Sequence, residues 1–158
     1  MTKAPISKTK IETKLAIIRE ALTELEQLAK IERNQFLSDK KYFAITEHYL
    51  RRTLEAIFDI AGHIISRYPM SPGKRPTTYK DLAISLAEKN IVDDDFGKNT
   101  LTKMAGYRNR IVHFYDEITA EEMYKILREK LTDIDTYAIA VVNVLKNPEK
   151  YDLVVDSD

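Results

Sequence analysis

LRRTLEAIFDIAGHIISRY, residues Leu50–Tyr68, places apolar side chains at Leu50, Leu54, Ile57, Ala61, Ile64 and Tyr68. The intervals alternate between four and three, which puts all six on one stripe of a 3.6-residue helix. The spacing predicts a long helix, capped by Ser38 or Asp39 and reaching about Tyr68, some ~45 Å from end to end. Pro69, Pro72, Gly73 and Pro76 then end it in a stiff loop.

The same rhythm recurs on both sides of this helix. Ile11, Leu15, Ile18, Leu22, Leu25 and Leu28 or Ala29 predict a first helix over about 7–37, with Ser7 as its cap. A shorter helix fits 78–89, with Asn90 suited to the left-handed position that follows. Asp93-Asp94-Asp95 supplies a cap and favourable charge for a helix over about 95–113. Gly106 in its interior costs about 1 kcal/mol relative to Ala, and a close helix crossing is the preferred reason for it. Thr119-Ala120-Glu121-Glu122 matches a capping box and opens a last helix to about Asn147. Its stripe is Met123, Leu127, Leu131, Ile134, Ala138, Val141 and Leu145, and Pro148 stops it. No strand is expected. The fold class is therefore all-α, an up-and-down bundle of about five helices, three of them long.

The 158 residues suit one domain spanning 1–158, with a core over about 8–147 and a short, frayed acidic tail at 152–158. The absence of cysteine removes disulfides, thiolate nucleophiles and cysteine-based zinc sites. No apolar run approaches the ~18–20 residues of a membrane span, and the N-terminus lacks the apolar stretch of a signal peptide. A cytoplasmic location with no membrane partner is expected. Twenty-five basic residues balance 25 acidic ones, which argues against broad coating of nucleic acid but leaves room for a local basic site.

Arg108-Asn109-Arg110-Ile111-Val112-His113-Phe114-Tyr115 gathers two guanidinium groups, an amide, an imidazole and a phenol into eight residues. Arg grips phosphate with a planar fork, and His carries protons near neutral pH. These are the groups that phosphodiester chemistry without a metal needs. Five residues of helix separate Arg108 from His113 by about 140° around the axis. To share a site, Arg108 reaches around, the helix unwinds near His113, or the residues face a cleft between two helices or two subunits. As plain structure, the two arginines are solvated cations near a helix C-terminus.

The string Arg, four residues, His, one residue, Tyr resembles the signature of the HEPN superfamily, in particular the HepT-like ribonuclease toxins. Arg108, His113 and Tyr115 fill it in register, and Asn109 is the polar residue expected after the Arg. The helix containing Leu54-Glu55-Ala56-Ile57-Phe58-Asp59-Ile60 resembles the family's second helix, and the resemblance covers roughly residues 8–147. It implies a homodimeric, metal-independent ribonuclease toxin that needs no cofactor and acts on tRNA or mRNA in a cleft between subunits. Arg108 would bind the scissile phosphate, His113 would move protons, and Asn109 and Arg110 would bind or orient RNA. The resemblance further implies an MntA-type nucleotidyltransferase antitoxin that attaches AMP to Tyr115. The alternative is a non-catalytic HEPN module that binds a nucleotide or such a partner.

Glu55, Asp59 and His63 form a polar stripe on the long central helix. Asp59 or Glu55 is placed to orient Arg108, or else belongs to an ordinary salt-bridged face. Arg51 or Arg52 is a further candidate for RNA phosphate, and Lys74 and Arg75 are mobile basic candidates in the Pro-rich loop.

Overall fold

The computed structural model describes residues 3–113 and 117–156. In order, the helices are α1 (Lys8–Ala29), α2 (Arg33–Ser38), α3 (Lys40–Ile65), α4 (Tyr79–Glu88), a π-helical segment (Phe96–Leu101) that continues into α5 (Thr102–His113), α6 (Ala120–Glu129) and α7 (Leu131–Lys146). A 3₁₀ turn, Pro148–Tyr151, follows. Among the described residues there is no sheet, only one isolated parallel bridge between Ile6 and Val155. No described helix is long and apolar enough to cross a membrane. The all-α bundle is as the apolar spacing requires.

The core forms along α3, which packs on α1, α2, α4, α5 and α6. The six positions of its stripe are all buried. Two expected caps form: Ser7 Oγ accepts from the Lys10 N–H at 3.1 Å, and the Asp39 carboxylate from that of Lys41 at 3.0 Å. The cap expected from Asp93-Asp94-Asp95 does not: Asp95 caps no backbone N–H and accepts from the Asn99 side chain at 2.6 Å, while Asp94 pairs with Lys98. Asn90 adopts φ 60°, the left-handed conformation foreseen for it.

Two predicted helices are broken. The first stops at Ala29, where the Lys30 N–H turns back to the Gln27 carbonyl. Glu32 then caps α2 by accepting from the Gln35 N–H at 3.1 Å. The bend seats Phe36 in the core, its ring 5.2 Å from that of Tyr124. Carbonyls freed by the break are recovered over long range: Ala29 accepts from Arg128 at 2.9 Å and Ile31 from the Tyr124 hydroxyl at 3.0 Å. Local apolar spacing cannot report such remote donors. The last helix breaks at Lys130, whose carbonyl accepts from the Asp133 N–H.

The close crossing lies at Gly97, not at Gly106. A Cβ on Gly97 would stand 2.5 Å from the Ala87 Cβ and 3.0 Å from the Ala83 carbonyl oxygen, so the π segment rests directly on α4. A Cβ on Gly106 would meet no described atom within 4 Å.

The C-terminal segment is docked through Asp156 rather than frayed. Ile6 donates to the Val154 carbonyl at 2.8 Å, and the Asp156 N–H donates to Ile6 at 3.0 Å. Leu153 and Tyr151 are buried, so the core extends beyond residues 8–147. The Tyr68 hydroxyl donates to the Tyr151 carbonyl at 2.5 Å, and its burial pushes its pKa up to about 12. His63 is buried, and its Nε2 accepts from the Ser7 N–H at 2.8 Å, joining α3 to the start of α1. Burial, then Arg67 and Lys10, hold its pKa below 6.5, and Asp156 opposes them.

Two outcomes follow from these contacts. The folded state resists protonation of His63, whereas the unfolded chain takes up that proton near pH 6.5. Stability contributed by the neutral ring is therefore present above that pH and is lost as pH falls below it. The urea midpoint should drop between about pH 7 and pH 5, and the drop should shrink in His63→Gln. Thermal unfolding should show Gly97→Ala destabilised by about 1–3 kcal/mol through overpacking, while Gly106→Ala gains up to about 1 kcal/mol.

Candidate functional site

Helix α5 carries the motif, and its apolar stripe decides where each side chain points. Met104 and Ile111 are buried. Arg108 lies four residues after the first and three before the second, so it sits on the same inward stripe. Its guanidinium carbon stands 4.5 Å from the centre of the Tyr79 ring at the start of α4. That separation is a cation–π contact. The Tyr79 ring is itself held 5.2 Å from that of Phe58 on α3. Arg108 Nε is buried and has no hydrogen-bond partner among the described residues.

His113 is exposed on the last residue of α5 described. Residues 102–113 are all helical, so the helix does not unwind before His113. The offset of about 140° expected of an ideal helix therefore stands. Within one chain Arg108 points onto α4, while Asn109 and His113, one turn apart, share a face turned about 100–140° from it. Tyr115 lies outside the described residues.

Arg110 has a different fate. Its two terminal nitrogens donate to the two carboxylate oxygens of Glu122, at 2.6 and 2.9 Å, in a two-pronged fork. One of them also reaches the Glu117 carbonyl at 3.4 Å. These interactions raise the guanidinium pKa further, chiefly through the Glu122 hydrogen bonds. Arg110 thus ties α5 to the start of α6. The fork also corrects half of the expected capping box. Thr119 Oγ1 accepts from the Glu122 N–H at 3.1 Å, but the Glu122 carboxylate turns to Arg110.

The polar stripe of α3 divides in the same way. Asp59 pairs with Lys14 of α1 at 2.9 Å, and Glu55 with Arg51 on its own helix at 3.4 Å. Neither orients Arg108, and His63 belongs to the terminal hydrogen bonds. Arg75 donates to the Ile65 carbonyl at 3.1 Å and so closes the end of α3 rather than waiting as a mobile cation. Among the described residues no group of three or more His, Asp or Glu is placed to hold a metal ion.

Sequence reasoning missed two residues, Tyr79 and Glu122. Tyr79 is one tyrosine among nine, and no local pattern separates it from the rest. Glu122 was visible, but as a cap.

The chain has relatives in sequence and in fold. Over 127 residues, 80% of the chain, it is 30% identical to a tRNA nuclease HepT of Aphanizomenon flos-aquae, covering 84% of that relative. It is 28% identical to an mRNA nuclease HepT of Shewanella oneidensis, again over 80% of the chain and 92% of the relative. Its fold superposes with a TM-score of 0.73 on a tri-AMPylated HEPN toxin of Shewanella oneidensis solved in complex with an MNT antitoxin. That match is 26% identical and covers 84% of this chain and 96% of the other. A toxin–antitoxin structure solved with AMP-PNP gives a TM-score of 0.75 at 25% identity, over 85% and 98% of the two chains. The ribonuclease HepT-like family model matches residues 18–141, and the chain belongs to that family.

Proposed function

We propose that this protein is a metal-independent endoribonuclease toxin that acts as a homodimer in the cytoplasm and is silenced by a nucleotidyltransferase antitoxin. The observation that carries the reading is the contrast between its two arginines. Arg110 is spent on Glu122, whereas Arg108 is held by an aromatic face and a buried Nε with no carboxylate partner among the described residues. A guanidinium oriented by a π face keeps its charge for an incoming phosphate.

In this reading the ribose 2′-oxygen attacks the neighbouring phosphorus, and the bond from phosphorus to the 5′-oxygen breaks. His113 takes the proton from the 2′-hydroxyl or delivers one to the leaving 5′-oxygen. A second copy's His113 supplies the complementary step. Arg108 stabilises the charge that builds on the non-bridging oxygens. The divergence of Arg108 and His113 within one helix supports a cleft lined by two chains. Use of the 2′-hydroxyl selects RNA over DNA. Asn109, on the face of His113, orients phosphate or imidazole. Asp59 and Arg51, both in ion pairs, stay outside this chemistry.

Tyr115 receives AMP from the antitoxin. The relative solved with its MNT antitoxin is tri-AMPylated, and the same modification here would place negative charge beside a site that receives RNA phosphate. The second reading, a non-catalytic module, keeps Arg108 for phosphate but has no need of His113.

The test assays unmodified dimers on tRNA and mRNA with EDTA present. Wild type should cleave, and His113→Ala and Arg108→Ala should each lose at least about 100-fold. Equal cleavage by wild type and His113→Ala removes the nuclease reading. Arg108→Lys should lose nearly as much, because a point-charge ammonium cannot replace a stacked planar fork. Arg110→Ala should read out mainly in stability, by about 1–2 kcal/mol, since its charge-assisted bonds go to Glu122. Co-expression with the antitoxin should add mass in units of AMP, and Tyr115→Phe should abolish the addition.

A further inference from the structure

A groove of about 400 Å³ opens between α3, α5, α6 and α7, on the side of α5 away from Tyr79. Its floor is apolar, built from Leu50 and Leu54 of α3, Met104 of α5, Ile126 of α6 and Ile134 of α7, all buried. Tyr107, half-buried, forms an aromatic wall. Lys103, Lys125 and Lys130 stand exposed on the rim, and none is in an ion pair among the described residues. Of the two carboxylates present, Glu122 is neutralised by Arg110. Three ammonium groups therefore face a single uncompensated carboxylate, Asp133.

We infer that this groove is a subsite for a nucleotide of the RNA strand flanking the scissile phosphate. The inference rests on the nuclease reading above and extends it to how the strand is held. The volume falls within the ~300–1,000 Å³ typical of small-ligand sites. A base lies flat on the apolar floor against Tyr107, as bases do on aromatic platforms. Its phosphates meet the lysines, and Asp133 can accept from an exocyclic amino group, which favours amino-bearing bases. The groove neighbours the motif: no motif residue lines it, but its Glu122 is held by Arg110, and Tyr107 is turned about 120° around α5 from His113. Tyr107 is about 9 Å along α5 from His113, and the Arg110–Glu122 fork forms the wall between them. A purely apolar partner helix would leave the three lysines without counter-charges, so charge complementarity favours the nucleic acid.

The test uses full-length protein with His113→Ala, so that RNA is bound but not cut. Affinity for a short labelled single-stranded RNA is measured across salt concentrations. Adding Lys103→Glu/Lys125→Glu should raise Kd at least about tenfold and reduce the magnitude of the salt slope by about 1. Lys40→Glu/Lys150→Glu, with the same charge change away from the groove, should leave the slope as in the parent. Tyr107→Leu should weaken binding with the slope unchanged, which separates stacking from charge. If the glutamate pair disturbs helicity by circular dichroism, Lys103→Ala/Lys125→Ala takes its place with the same direction expected.

Groove variants that bind RNA like the control pair overturn the inference. So does a result in which they lose only the antitoxin complex, or only the binding of free AMP. Active cleavage by wild type with unaltered RNA binding in the groove variants sinks the subsite and leaves the nuclease reading standing. Weakened binding in the variants without cleavage by wild type removes the nuclease reading and, with it, a subsite beside a scissile phosphate, leaving an RNA-binding groove alone. A parent that binds no RNA ends both.

Discussion

From Thr53 to Ile65 α3 is buried around most of its circumference, and five other helices pack on it. Ile57, Ala61 and Ile64 are wholly covered, and Thr53, Ala56, Phe58, Ile60 and Ile65 are buried on other faces. Removing this much apolar surface from water is the main favourable term in the fold. It also demands that polar groups along the helix be satisfied from within. Thr46 and Thr53 donate their hydroxyls to the carbonyls four residues back, at 2.7 and 2.8 Å. The fully buried Tyr137 hydroxyl of α7 donates to the Ile57 carbonyl at 2.6 Å, and burial raises its pKa strongly. With α3 fixed, Phe58 presents its ring to Tyr79, and Tyr79 presents its own to Arg108. A buried apolar helix thus sets the direction of a charged group two helices away.

The two arginines of α5 show how position, not residue type, assigns a task. Arg108 falls on the apolar stripe and has to place a charge against the interior, where an aromatic ring is a tolerable neighbour. Arg110 falls off the stripe and meets Glu122, which compensates it in full. The carboxylate that a capping box would have used locally is drawn into a tertiary fork, and the groove beside it is left with a basic rim.

The chain ends follow the same economy of polar groups. His63 completes the polar stripe of α3 in the sequence, yet it spends its lone pair on the first free N–H before α1. The Ile6–Val155 bridge and the docked Leu153 hold that corner together. A short acidic tail would have little reason to order on its own. It is ordered because Ile6 offers it both a donor and an acceptor.

Periodicity made most of the helices and most of the core legible, because burial on one face of a helix repeats every three or four residues and is written locally. Ser7, Asp39, Thr119 and Asn90 could be read for the same reason: each acts on backbone within three residues of itself. The motif at Arg108, His113 and Tyr115 was legible as a spacing, and the divergence of the first two followed from helix geometry. Tertiary structure decided everything that depends on distant partners. It broke the first and last long helices, where Tyr124 and Arg128 recover the carbonyls freed near Ile31. It moved the close crossing from Gly106 to Gly97, gave Asp59 to Lys14, and chose Tyr79 to hold Arg108. A side chain's own position is encoded in its neighbours along the chain, whereas its partner is set by which surfaces the whole chain must bury.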